Sequence, residues 1–335
     1  MRAWILEKQA KIEEKPLKLV DIPEPHAINS QIRLKIISCG ICRTDIHIAE
    51  GDLPLKKTPL VLGHEIVGIV DEAGRNVKRF KTGDRIGISW LNRTCGKCKY
   101  CLSGRENYCH DFKCTGWDVE GGFAEYITIE EDFALSLKDM DMEAEDIAPL
   151  MCPGIAGYCA FKLTGAKRGD RLGLYGFGPT AFYVLKVAAS IGIDIYVSTR
   201  SLHHVREAEK NGAVWAGNAL KKEMPCMLNS AIVFPPAGSM VETALSQIEI
   251  GGVLVLAPVS MSKIEIKNYS KNLWGRDIRT LYNVNKSDGE EFLEIAGLTD
   301  IKMGRQVFSF EQLQDAMILI KNGQIKEPNA VIIFN

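Results

Sequence analysis

The feature that most restricts this chain lies past residue 170. An apolar run, RLGLYG (171–176), ends in a glycine turn, and the helical pattern TAFYVLKVAASIG (180–192) follows at once. DIYVSTR (194–200) reads as a second strand, and SLHHVREAEKNGA (201–213) as a second helix ending at Gly212. AIVF (231–234), GSMVETALSQI (238–248) and GGVLVLAPV (251–259) repeat the order strand, helix, strand. Apolar strands alternating with helices pack as a parallel sheet covered on both faces. Beyond residue 285 the pattern predicts helices over 289–297 and 310–322, the latter stopped by Gly323, and a last strand, AVIIF (330–334).

The turn GFGPTA (176–181) has the context of a dinucleotide site, because it joins a strand to a helix. Gly176 permits the tight turn. Gly178 lets a pyrophosphate approach the helix N-terminus, where unpaired N–H groups favour an anion. Pro179 removes one N–H but is tolerated at a helix start, Thr180 follows it, and Ala181 keeps helix and strand close. The plainer reading is a structural turn only. NAD-selecting chains carry an acidic residue near the end of the second strand, where it binds the ribose 2′-OH. Here Ser198, Thr199 and Arg200 stand there, with His203 and His204 close by. No carboxylate repels a 2′-phosphate and Arg200 can pair with one, so the sequence predicts NADP(H) in preference to NAD(H). An Arg200 stacked on adenine would instead give weak selectivity.

The first 150 residues differ. Short alternating or β-branched runs, IRLKIIS (32–38), LGHEIVGIVDEAG (62–74), DRIGISW (84–90) and FAEYITI (123–129), are cut by Gly and Pro. They predict an irregular, mostly antiparallel β domain. Residues 145–165 read as a helical stretch carrying Cys152, interrupted by Pro153 and Gly154.

Cysteines punctuate this half. Cys95, Cys98, Cys101 and Cys109 can close a tetrahedral Cys₄ zinc site, which has no open position and acts as a staple. The lysines and arginines around them offset thiolate charge, and the segment offers almost nothing apolar to fold around. Metal binding would therefore supply the ordering free energy. Four unrelated thiols, or an iron–sulfur cluster, are the alternatives.

A second set is dispersed. Cys42 in CGICRTDIH (39–47), His64 in GHE (63–65) and Cys152 in MCPG would give zinc three ligands and leave one position open. Taken singly, a core thiol or a structural histidine explains each. The neighbours add weight. Asp45 can take the second ring N–H of His64. Thr44 can pass a proton from a zinc-bound alkoxide, His47 can carry it to solvent, and Glu65 is a supporting group or transient ligand. Thr44 and Asp45 also suit a helix N-cap, and both roles can coexist.

These segments, in this order and spacing, resemble the zinc-containing alcohol dehydrogenases of the medium-chain dehydrogenase/reductase superfamily, over nearly the whole chain. The resemblance implies a GroES-like β-rich catalytic domain over 1–153. It implies a Rossmann domain, a doubly wound parallel sheet, over 154–285, and a C-terminal return to the catalytic domain over 286–335. It assigns Cys42, not Cys39, as the first catalytic ligand and makes Cys39 a buried thiol. Thr44 and His47 become the proton relay, and Arg43 reaches the cofactor pyrophosphate as a bidentate guanidinium can. Two zinc ions per chain follow, one catalytic and one structural.

The expected reaction moves a hydride between an alcohol/aldehyde pair and the nicotinamide, with NADP(H) leaning towards aldehyde reduction. Trp90, Leu91 and Trp117 flank the motifs and are expected to wall an apolar slot for a small or aromatic substrate, although ordinary core aromatics would read the same. A polyol dehydrogenase, a zinc-free reductase on the same scaffold and a non-enzymatic cofactor-binding protein are the rival readings. A formal net charge of −1 gives no field for nucleic acid or acidic membranes. No window offers the roughly 18 uncharged apolar residues of a membrane span, and the N-terminus lacks a signal-peptide pattern. A cytoplasmic enzyme is expected, as a homodimer or homotetramer, with GGVLVLAPV pairing across the dimer at a sheet edge.

Overall fold

A computed structural model describes residues 1–222 and 224–334, and in it the chain forms two compact units. The first comprises Met1–Cys152, Val284–Gly297 and the stretch from Lys302 onward. The second comprises Pro153–Asn283 with Leu298–Ile301.

The first unit is built on a seven-stranded sheet. Its order is Leu135–Ser136, Arg85–Ile88, Glu65–Ala73, Gln31–Gly40, Asn329–Ile333, Arg305–Ser309, with Tyr126–Glu130 also paired to Gln31–Gly40. Every pairing is antiparallel except that of the last two strands in this order. Alternation in QIRLKIISCG sends Ile32, Leu34 and Ile36 inward, where Ile66, Val70, Phe123 and Ile127 meet them. The glycines before and after this packing have a steric purpose. Gly63 sits at φ +93°, and a Cβ there would lie 2.6 Å from Phe123 Cδ1. A Cβ on Gly121 would lie 2.3 Å from the Gly63 carbonyl oxygen. Only backbone fits between these segments. Gly121 donates to Val61 O at 2.8 Å, Gly122 to Gly63 O at 2.9 Å and Phe123 to Leu62 O at 2.9 Å.

The second unit is a six-stranded, wholly parallel sheet. Its order is Trp215–Gly217, Asp194–Ser198, Arg171–Tyr175, Leu228–Val233, Ile248–Leu256, Asp277–Thr280. The order reverses between Arg171–Tyr175 and Leu228–Val233, and ligands of open α/β sheets bind at the carboxyl ends of such strands. The predicted parallel sheet is therefore present, but one expectation is corrected. Ile248–Leu256, which carries GGVLVLAPV up to Leu256, is paired on both sides and cannot offer an edge. The edges are Trp215–Gly217 and Asp277–Thr280; the latter is four exposed residues, three of them polar, which hid the strand from a hydrophobicity reading.

Helix boundaries differ locally. The stretch 145–165 is three pieces: Ala144–Ile147, a 3₁₀ turn Ala148–Met151, and Pro153–Thr164. Cys152, at φ −126° and ψ −74°, is the non-helical break. The residue before a proline is disfavoured in the α region, so Pro153 can open the next helix but not continue the previous one. The predicted helix 310–322 starts as a 3₁₀ turn, Phe310–Gln312, capped by Ser309 and Gln312, before Leu313–Lys321. No helix among the described residues is by itself long and apolar enough to cross a membrane.

The crowding at Gly63 predicts that Gly63→Ala costs about 2–4 kcal/mol, since a strained φ and a core clash add. A denaturant titration that finds the variant as stable as the parent would contradict this account.

Candidate active site

In the first unit, the helix Arg43–Glu50 begins at Cys42, whose extended backbone makes it the N-cap. Thr44 N–H donates to Cys42 Sγ at 3.4 Å, so the cap is a sulfur. Asp45, in the first turn, is fully buried and collects three donors. The Cys42 N–H reaches one oxygen at 2.9 Å. The Gly63 N–H and His64 Nδ1 reach the other at 3.2 and 3.1 Å. A buried carboxylate in contact with Nδ1 fixes the proton there. The other nitrogen, Nε2, is buried and has no hydrogen-bond partner among the described residues.

That nitrogen is surrounded by acids. One ligand atom each from Cys42, His64, Glu65 and Cys152 lie within 4.8 Å of one another, and the two sulfurs are 4.0 Å apart. Glu65 pairs in register with Gly40 on the next strand, and a Cβ on Gly40 would lie 1.9 Å from Glu65 Oε2. Gly40 thus makes the space in which the carboxylate lies. The hydrogen bond with Cys152 pulls the Cys42 thiol well below its usual range, with help from His64, and pushes Cys152 well up. Burial pushes Glu65 up. Burial also works against charge on His64, but Asp45 and Cys42 outweigh it and hold the imidazole pKa well above its usual value. Two thiols, a carboxylate and an imidazole nitrogen gathered in this way are a donor set that could hold a cation.

The relay candidates lie on one helix without touching. Thr44 Oγ1 is 3.5 Å from Cys42 Sγ, whereas His47 is half-exposed and contacts Asp52 at 2.7 Å through Nδ1. Arg43 is exposed and makes no ion pair among the described residues. Trp90 meets His64 edge-on with ring centroids 4.9 Å apart. Trp117 stacks on Trp90 at 5.9 Å and donates from Nε1 to Pro54 O at 2.9 Å. The far side of Trp117 is covered by Lys56, whose Nζ is 3.4 Å from the ring centroid and 2.9 Å from Asp118. Leu91 is different: it is buried in the pairing of Leu91–Arg93 with Lys113–Cys114.

Cys95, Cys98, Cys101 and Cys109 form a second cluster, their sulfurs also within 4.8 Å. Cys98 and Cys101 are 3.5 Å apart, Cys95 and Cys101 3.9 Å. No disulfide joins any of the ten cysteines. Backbone N–H groups of Lys97 and Cys98 bring the Cys95 thiol down to about 6, and that of Cys101 lowers Cys98. Burial takes Cys109 up to about 11. Two 3₁₀ turns, Cys101–Ser103 and Glu106–Tyr108, are the lobe's only helical structure, and its one aliphatic side chain between these cysteines, Leu102, is exposed. The lobe is moored by Asn107 N–H to Asn285 Oδ1 and Lys286 N–H to Glu106 Oε1.

In the second unit, the Gly turn takes the shape the sequence predicts. Gly176 has φ +91°, and a Cβ there would strike Pro235 at 2.7 Å. Gly178 is the N-cap of the helix Pro179–Ser190, with open space where a side chain would be. Thr180 backs onto Gly157, whose absent Cβ would lie 2.8 Å from the Thr180 carbonyl oxygen. Arg200 is exposed at the end of Asp194–Ser198. Thr199 is buried, and its Oγ1 accepts the Ser201 N–H at 3.4 Å.

Comparison with known proteins agrees with this geometry. The alcohol dehydrogenase GroES-like domain family matches residues 29–139. A probable alcohol dehydrogenase of Mycobacterium tuberculosis is 36% identical, over 99% of this chain and 97% of that protein. An alcohol dehydrogenase of Geobacillus stearothermophilus is 32% identical, over 95% and 97%. The chain belongs to the medium-chain, zinc-containing alcohol dehydrogenases. Its fold is that of a cinnamyl alcohol dehydrogenase from Sorghum bicolor, with a TM-score of 0.88 at 23% identity over 99% and 97% of the two chains. A Helicobacter pylori cinnamyl alcohol dehydrogenase solved with NADP(H) gives 0.86 at 23%, with the same coverage. The fold class, a GroES-like β-rich domain with a Rossmann sheet, is thereby shown. So is the general activity, an oxidoreductase between alcohols and aldehydes.

For this alcohol dehydrogenase, two site residues escape a reading by residue chemistry. Gly40 carries no functional group, and Lys56 lies in the loop between two motifs and belongs to neither. Only strand register and loop packing bring them in. Gly40→Ala is expected to displace the Glu65 carboxylate and destabilise the protein by about 1–3 kcal/mol, the range for a disturbed buried charged group or overpacking. Unchanged thermal unfolding would show that Glu65 has room the structure does not reveal.

Proposed function

We propose that this chain is a zinc-dependent alcohol dehydrogenase and aldehyde reductase that holds two zinc ions and prefers NADP(H) to NAD(H). The observation that carries the catalytic zinc is the unpartnered Nε2 of His64, buried among Cys42, Cys152 and Glu65. Two thiolates and a neutral imidazole suit zinc and leave room for a substrate oxygen. Zinc held by Cys42, His64 and Cys152 supplies a Lewis acid that lowers the pKa of an alcohol.

The chain's own residues do the rest. Asp45 keeps the proton on His64 Nδ1, so Nε2 presents its lone pair. The Thr44 hydroxyl, beside Cys42, would accept the substrate hydroxyl proton while releasing its own to a bridging water, and His47, three residues on along the same helix, would take it from that water to solvent. Glu65 serves as a supporting anion behind the ligands or a transient ligand. Trp90, beside His64, offers an apolar surface that favours small or aromatic alcohols and aldehydes, and Trp117, stacked on it and capped by Lys56, holds it in place.

The Cys₄ lobe is read as the structural zinc site, because it has convergent thiols and no apolar core. For the cofactor, Gly176 and Gly178 open a cradle at the Pro179–Thr180 helix start, where the first N–H groups are unpaired. Arg43 offers a guanidinium for the pyrophosphate. Arg200 is exposed, and no acidic residue lies between Asp194 and Glu207 to repel a 2′-phosphate. The buried Thr199 contributes less than the sequence suggested, as its hydroxyl already serves Ser201. A homodimer or homotetramer would use the open Asp277–Thr280 edge, beside which Trp274 is exposed.

Metal analysis should find two zinc ions per chain. Cys152→Ser should lose one together with activity, whereas Cys98→Ser should lose the other and lower the unfolding temperature. A preparation active with no zinc would refute the reading. Asp45→Asn should lower metal affinity or kcat/KM about 10- to 100-fold, the usual cost of removing a ligand's supporting partner. For aldehyde reduction, kcat/KM with NADPH should exceed that with NADH, and Arg200→Ala should narrow the gap. A clear NADH preference in the parent would reject the cofactor choice.

A further inference from the structure

The parallel register of the second unit brings two segments to one level. Tyr175 pairs with Ser198, and the Gly176 N–H donates to Ser198 O at 2.8 Å. The pyrophosphate turn and the residues after Ser198 therefore leave the sheet together. In a sheet of this kind the end of the second strand faces the adenosine ribose. The helix that follows, Leu202–Lys210, is capped by Ser201 and carries His203 and His204 in its first turn. Their ring centroids are 5.8 Å apart, and His204 lies edge-on to Phe177, the middle residue of the turn, at 6.2 Å. His203 is exposed and His204 partly so. With Arg200, they form a group of cationic and protonatable side chains beside the cofactor turn.

We propose that His203 and His204, with Arg200, read the 2′-phosphate of NADP(H), so that the choice between the two dinucleotides varies with pH. The proposal rests on the NADP(H) reading above and specifies which side chains recognise the phosphate. Arg200 is charged at every working pH and supplies constant attraction. The imidazoles are neutral or cationic according to pH. Burial and the neighbouring His203 keep the His204 pKa below its usual value, opposed by Glu207. Its other packing partner, Phe177, is uncharged, and the strand packed against this helix, Trp215–Gly217, has no titratable group. Arg206 is the remaining charge in this first turn and a half.

The sign follows from linkage. A phosphate dianion beside the imidazoles favours their protonated form. Binding therefore takes up a proton, and affinity for NADP(H) rises as pH falls. The rise stops where the phosphate itself protonates, near about pH 6. NAD(H) has no 2′-phosphate and shows no such dependence at this site. The ratio of the two affinities cancels every pH effect elsewhere in the protein that both cofactors share.

The test uses the full-length, metal-loaded enzyme without substrate, titrated with NADPH and with NADH by nicotinamide fluorescence between pH 6.5 and 8.5. The Kd ratio in favour of NADPH is expected to rise at least about 5-fold from pH 8.5 to pH 6.5, which corresponds to an average uptake of about a third of a proton. In H203N/H204N the ratio should be low and flat, with NADH binding retained as evidence of an intact fold. In H203K/H204K it should be high and flat. Arg200→Ala should lower the ratio by a constant factor and leave its slope. NADH bound as tightly as NADPH at every pH would overturn the cofactor reading and this proposal with it. NADPH bound tighter by a factor that does not change with pH, or a slope that survives H203N/H204N, would overturn the histidine proposal alone.

Discussion

One buried carboxylate organises the cluster around His64. Asp45 takes N–H groups from Cys42, Gly63 and His64. These come from the start of a helix, from a loop, and from the residue that the loop delivers to a strand. A buried carboxylate is costly unless it is fully paired. Once paired it fixes three segments and one histidine tautomer together. The glycines at 63, 121 and 122 serve the same end, since only bare backbone lets the loop sit close enough for its N–H to reach Asp45.

The two cysteine clusters use the same donor for opposite ends. The Cys42–Cys152 cluster is assembled from distant parts of the chain by a preformed β core, so its geometry is paid for by packing. The Cys95–Cys109 cluster spans fifteen residues, has no apolar core, and relies on backbone N–H groups to pull thiols towards thiolate.

The dinucleotide half follows from a different physical rule. A parallel sheet aligns its strand ends, so a glycine turn after one strand and the side chains after its neighbour face the same ligand. In this chain the second position carries Arg200 and a histidine pair where a carboxylate would favour the 2′-hydroxyl.

Much was legible in the sequence because it depends on short-range pattern or on rare residue types. The parallel sheet could be read from apolar strands alternating with helices, the glycine turn from Gly176 and Gly178, and the two clusters from cysteine and histidine positions. Residue chemistry alone did not distinguish Cys39 from Cys42 as a ligand, and the family resemblance supplied that choice. What depends on through-space register was not legible. Gly40 makes room for Glu65, Lys56 backs Trp117, Thr199 turns inward while Arg200 turns out, and a mostly polar strand, Asp277–Thr280, forms one edge of the parallel sheet. The linear chain specifies what each residue can do chemically. Which residues meet is decided by strand pairing and core packing, because those contacts join segments tens to hundreds of residues apart.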